Sequence, residues 1–193
     1  MANQPRLSTT AIISPQYCAP ATHPIDLIIT KEWTGRNNFT VTDTNNNLIF
    51  KVKTPLVTMV TPRQHRFLFD ANRNPILHLR RSLLAADDKW KAFRGESEAP
   101  QDLVFTRERS SFMQLRTKLN VSLANNTTTQ ACDFTVRGNL FQNSWKVYIA
   151  NSDNLVAKIK KELGTMFITE KFMVTVSPNM DYAFIVALVV TLD

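Results

Sequence analysis

The segment near the C-terminus constrains this chain most. Residues 182–192 read Tyr, Ala, Phe, Ile, Val, Ala, Leu, Val, Val, Thr, Leu, with no polar face before Thr191. A helix that is apolar all round is buried, either in protein or in lipid. Crossing a bilayer takes about 18 or more apolar residues, and this run has only about ten. A buried core helix over residues 180–192 is therefore expected. Asn179 and Asp181 suit its start, because a carboxylate there caps free N–H groups and complements the helix dipole. Such a helix needs a container, and a closed β-barrel is the simplest one.

The rest of the chain reads as strands. Residues 39–50, 66–79 and 145–159 repeat one pattern: an alternating apolar run, an Asp/Asn cluster, a second apolar run. Asp and Asn bond their own backbone and tolerate positive φ, so each cluster is expected to be a hairpin turn. In residues 115–123 the odd positions carry Leu, Thr, Leu, Val and Leu, while Arg116, Lys118, Asn120 and Ser122 fill the even ones. That period of two gives one buried and one wet, basic face. Residues 90–94, 102–106, 132–136 and 172–176 add short strands, and turn signals every ~8–12 residues fit a sandwich or barrel. Residues 1–24 hold prolines at 5, 15, 20 and 24 and are expected to be a flexible leader passing into an extended arm. A single domain is expected over residues 25–193.

Composition bounds the function. With 44% hydrophobic residues a sizeable core can form. A net charge of +7 and a pI of about 9.6 favour acidic partners: anionic lipid, nucleic acid or acidic protein. Two cysteines, Cys18 and Cys132, are not a disulfide framework, and residues 1–24 lack the apolar stretch of a secretory signal. The expected location is intracellular: cytoplasmic, membrane-peripheral or nuclear. A monomer is expected.

No catalytic or cofactor motif emerges. Gly35, Gly95, Gly138 and Gly164 are the only glycines, too few for a phosphate-cradling loop, and no GxSxG, P-loop or GxGxxG occurs. Neither the cysteines nor His23, His65 and His78 stand at metal-ligand spacing. His65 and His78 read as ordinary surface or strand-end residues. Asp43, Asn45 and Asn47 imitate the start of a calcium loop, but Leu48 replaces its glycine and Thr54 its closing glutamate. The adjacent Asp87 and Asp88 lie beside Lys89 and Lys91 rather than in an apolar pocket that would raise a carboxyl pKa. The expectation is a non-enzyme without cofactor or metal.

Basic residues at i, i+2 carry the remaining signal: Lys51 with Lys53, Arg107 with Arg109, Arg116 with Lys118, and Lys158 with Lys160. On a strand this spacing puts both charges on one face. Neighbouring strands would then build a positive patch able to grip phosphates.

Seven segments in order give the chain a family likeness. They are residues 16–20 (Gln-Tyr-Cys-Ala-Pro), 39–43 (Phe-Thr-Val-Thr-Asp), 48–53, 90–95, 109–119, 132–138 and 175–185. Together they resemble the plant LURP-one-related family from about residue 14 onward. The resemblance implies a tubby-like fold, a closed 12-stranded antiparallel barrel around a central hydrophobic C-terminal helix, akin to tubby proteins and phospholipid scramblases. It implies a link to plant defence and no catalytic residue. Scramblases carry an acidic calcium segment before the last helix, whereas residues 171–179 here contain no carboxylate. The leading expectation is a binding module for anionic phospholipid, including phosphoinositide. A scramblase-like lipid handler and a DNA-associated regulator are the alternatives.

Overall fold

The computed structural model describes residues 11–32, 37–55, 65–82, 88–113, 116–126, 132–139, 142–163 and 170–192. Twelve strands form one closed antiparallel barrel: β1 (Ile25–Lys31), β2 (Phe39–Asp43), β3 (Leu48–Lys53), β4 (His65–Asp70), β5 (Pro75–Arg81), β6 (Lys89–Arg94), β7 (Leu103–Met113), β8 (Arg116–Leu123), β9 (Phe134–Asn139), β10 (Ser144–Ile149), β11 (Leu155–Leu163) and β12 (Glu170–Val176). Each strand pairs with its neighbours in sequence, and β1 closes the ring against β12 with Leu27 opposite Val174. Closure leaves no free edge.

The hairpins form where Asp and Asn cluster. Asp43 Oδ1 accepts the Asn47 backbone N–H at 2.8 Å and Oδ2 accepts the Asn47 side-chain amide at 2.8 Å. Asp70 holds Asn74 in the same way, at 2.7 and 2.8 Å. The amide bonds hold both carboxyl groups below their ordinary pKa. Asn46 and Asn151 take the expected positive φ, at 63° and 56°. In the second turn that role falls to Arg73, at 69°, rather than to an asparagine. The calcium-loop imitation is thus a turn, and Thr54 is buried, donating its backbone N–H to Asn38 Oδ1 at 2.9 Å.

A barrel of eight strands is filled by its own side chains, and diameter grows with strand number, so twelve leave room for a helix. That helix, α1 (Tyr182–Val190), buries every residue from Ala183 to Val190. Phe184 meets Phe105 edge-on at 5.2 Å and Phe134 at 5.0 Å. Inward residues of the strands, among them Leu27, Phe39, Leu77, Leu119, Val147 and Val174, complete the core.

Both helix ends are tied down by charge. At the start, Asp181 Oδ1 accepts the Phe184 N–H at 3.1 Å, while Oδ2 accepts those of Ile12, Ile13 and Ser14 at 3.1, 2.7 and 3.2 Å. Burial pushes this carboxyl above its ordinary pKa, and the four N–H donors pull it partly back. Order therefore begins before the first strand. Residues 12–14 are held by Asp181, a 3-10 turn follows at Pro15–Tyr17, and Cys18 bridges to Asp181. At the far end, Arg107 donates to the Thr191 carbonyl and, at 3.3 Å, to Thr191 Oγ1. A cation there suits the negative end of the helix dipole.

Candidate anion-binding site

The basic pairs read from the sequence do not converge on one patch. Lys51 and Lys53 point outward from β3, where Lys51 stands between Thr40 and Phe69 and Lys53 opposite Phe67. Neither has a cation beside it in register. Arg107 does not face solvent at all. It is buried, because it shares the inward face of β7 with Phe105 two residues earlier. Its Nη1 pairs with Asp88 Oδ2 at 2.8 Å, and burial depresses its pKa from the ordinary guanidinium value. Arg109 follows it toward the barrel mouth and reaches Asp88 at 3.5 Å, as Arg81 does at 3.6 Å. Asp88, adjacent in sequence to Asp87 and Lys89, is the shared counter-ion of three arginines. Asp87 lies outside the described residues.

Lys118 and Lys158 do meet, through two residues that i, i+2 spacing does not reveal. Lys118 stands opposite Arg137 on β9, Arg137 opposite Lys146 on β10, and Lys146 opposite Lys158 on β11. All four side chains are exposed on the outer wall. With neighbouring strands about 4.8 Å apart, the row spans roughly 14 Å. Lys160 sits two residues along β11 on the same face, near Glu162 at 3.7 Å. Arg116 occupies the matching place on β8, opposite Asn139, and its side chain lies outside those described.

The row is almost without counter-charge. Among the described residues, Lys118, Lys146 and Lys158 make no ion pair. Arg137 lies 3.7 Å from Asp153, whose side chain is 98% exposed, and stacks over the Tyr148 ring at 4.5 Å. Beyond Lys158 the row ends in Thr175, which donates to Asp26 at 2.6 Å. Like charges directly opposite each other destabilise a sheet by about 0.2–1 kcal/mol per pair. Here three such pairs occur in succession. An anionic ligand would turn that repulsion into attraction. Arg137 and Lys146 are legible as outward residues of alternating strands, but only the strand register shows that they align.

A closed up-and-down barrel that plugs itself with its own terminal helix, and wears a line of cations on its wall, defines the class. The LURP-one-related family model matches residues 25–193. LURP-one-related 10 of Arabidopsis thaliana is 43% identical over 189 residues, 95% of each chain. LURP-one-related 15 of the same plant is 41% identical, across 94% of this chain and 84% of its own. An X-ray structure of an Arabidopsis thaliana protein, 38% identical, superposes with a TM-score of 0.73 over 95% of this chain and 96% of that one. The chain belongs to the LURP-one-related family.

Proposed function

We propose that this protein is a non-enzymatic, tubby-like binding module that docks on anionic phospholipid surfaces, those bearing phosphoinositide included. Lys118, Arg137, Lys146 and Lys158 make the contact. One observation carries the reading: the cross-strand line of four exposed cations with little counter-charge of its own. The wall of a barrel is convex, so the line suits an extended sheet of phosphates better than a single enclosed ligand. Each basic residue near an anionic membrane contributes about 1 kcal/mol, so four give a roughly thousandfold gain in partitioning. The link to plant defence implied by the family resemblance is the biological setting of this proposal.

The scramblase-like alternative needs an inserted helix. Among the described residues no helix is long and apolar enough to cross a membrane, and α1 fills the barrel interior. This favours docking over insertion.

Sedimentation with vesicles tests the reading. Binding is expected to vesicles containing phosphatidylserine or phosphoinositide and not to neutral phosphatidylcholine, and to weaken as salt rises. Lys146→Glu combined with Lys158→Glu should abolish it, while Lys51→Glu with Lys53→Glu should leave most of it. Equal affinity for neutral vesicles would refute the proposal. So would tight, steeply salt-dependent binding to duplex DNA without lipid binding, which would favour the regulator reading.

A further inference from the structure

We infer that His65, His78 and Glu98 form a binding site for one divalent transition-metal ion of the zinc type, on the outer wall away from the cationic row. The three residues are far apart in sequence. His65 opens β4, His78 sits in the middle of β5 as its diagonal cross-strand neighbour, and Glu98 lies in the turn after β6. Gly95 makes that turn possible with a φ of 57°, and its N–H bonds the Ile76 carbonyl at 2.9 Å, folding residues 95–98 back over β5. One ligand atom from each residue lies within 4.8 Å of the other two.

The two rings are held as metal-ligating imidazoles are held. His78 is 1% exposed, and its Nδ1 lies 3.0 Å from the Ser97 carbonyl. A carbonyl only accepts, so Nδ1 carries the proton and Nε2 is left bare. A backbone carbonyl fixing the remote nitrogen in this way is the usual support for a metal-ligating histidine. The Phe67 ring, stacked on His78 at 4.3 Å, holds the imidazole plane in place. The bare Nε2 faces His65 Nδ1 at 2.8 Å. Two imidazole nitrogens that close cannot both present lone pairs to each other. Here His65 Nδ1 donates its proton to His78 Nε2, and a metal ion taking the place of that proton would meet both nitrogen lone pairs.

Glu98 supplies the third ligand. Its Oε1 is 3.8 Å from His65 Nδ1, while Oε2 is held by Arg80 at 3.0 Å and so leaves Oε1 turned toward the rings. Two imidazoles and one carboxylate with a position open to water is a common zinc set, and imidazole also suits copper and nickel. Zinc bonds of about 2.0–2.1 Å in tetrahedral geometry place two nitrogens about 3.3 Å apart, so the pair must open by roughly half an ångström. His65 can make that adjustment, since its side chain is 33% exposed. On binding, it moves its single proton from Nδ1 to Nε2 and offers the freed Nδ1 lone pair to the metal.

Calorimetric titration of the metal-free, full-length chain with zinc ions tests the inference. One ion per chain is expected. His65→Ala and Glu98→Gln should each weaken binding at least about tenfold, and Glu98→Gln, which alters a half-exposed group, should unfold near the wild-type temperature without zinc. Imidazole nitrogen NMR should place the zinc-induced shifts on His65 Nδ1 and His78 Nε2. Absence of saturable binding would overturn the site. Binding unchanged in His65→Ala, or nitrogen shifts confined to His23, would do so equally.

Discussion

Arg107 on β7 and Arg137 on β9 lie two strands apart in one barrel, on opposite faces of its wall. Arg107 points in, and each of its three guanidinium nitrogens meets an oxygen, from Asp88 on one side and Thr191 on the other. Arg66, also buried, lies over the Phe39 and Trp90 rings, 5.4 and 5.2 Å away. Arg137 points out and stands between two lysines, with one fully exposed carboxylate nearby. The interior surrounds Arg107 with partners because an unpaired buried charge is intolerable there. The exterior accepts a line of mutually repelling ones because water screens them. The contrast separates stability from binding: inner charges are structural, outer ones are available to a partner.

Breaking the interior rule should have the largest effect. Phe184→Asp puts a carboxylate between Phe105 and Phe134, where nothing can pair with it. The lost ring alone costs about 3–5 kcal/mol. The unpaired charge adds at least as much, against a total stability of roughly 5–15 kcal/mol for a domain. No folded protein is expected, read as loss of β circular dichroism and of soluble yield. A well-folded variant would mean that α1 is not the core.

Arg107→Ala is the next test. It strips Asp88 of its closest partner and leaves the last carbonyl of the helix end without a donor. Removal of one partner of a buried pair costs about 3–5 kcal/mol, so the urea midpoint should fall sharply while any residual folded protein still binds anionic vesicles. Loss of lipid binding with unchanged stability would put Arg107 on the wrong side of the wall.

The same contrast explains how far the sequence could be read. Turns and the helix were legible because their causes are local. Asp43 and Asp70 bond residues four positions away, and an apolar run of a given length leaves few places to go. Spacing at i, i+2 says that two residues share a face, but not which face. For Arg107 the deciding signal was Phe105, two residues earlier, which marks that face as inward. The cationic row was illegible for another reason. Lys118, Arg137, Lys146 and Lys158 align only through the register of four strands, which turn lengths and a bulge between Val147 and Tyr148 determine. His65 and His78, thirteen residues apart, meet through strand pairing in the same way. Non-local chemistry of this kind leaves no spacing to recognise.

The smallest stability effect, and the one that most sharpens the contrast, belongs to Lys146→Glu. Lys146 stands directly between Arg137 and Lys158, so a carboxylate there replaces two like-charge pairs by two opposite-charge pairs. Each such exchange across a sheet is worth about 0.2–1 kcal/mol, and exposure keeps the sum near the lower end. The variant should therefore be slightly more stable than the wild type, by about 0.5–1 kcal/mol in denaturant unfolding at low salt, with the gain shrinking as salt is added. Its affinity for anionic vesicles should fall at least about tenfold, since one attractive charge is lost and one repulsive charge gained. Opposite signs for stability and binding in one substitution are what a ligand-facing row demands. If the variant lost stability and kept its vesicle binding, the row would be an ordinary part of the barrel wall.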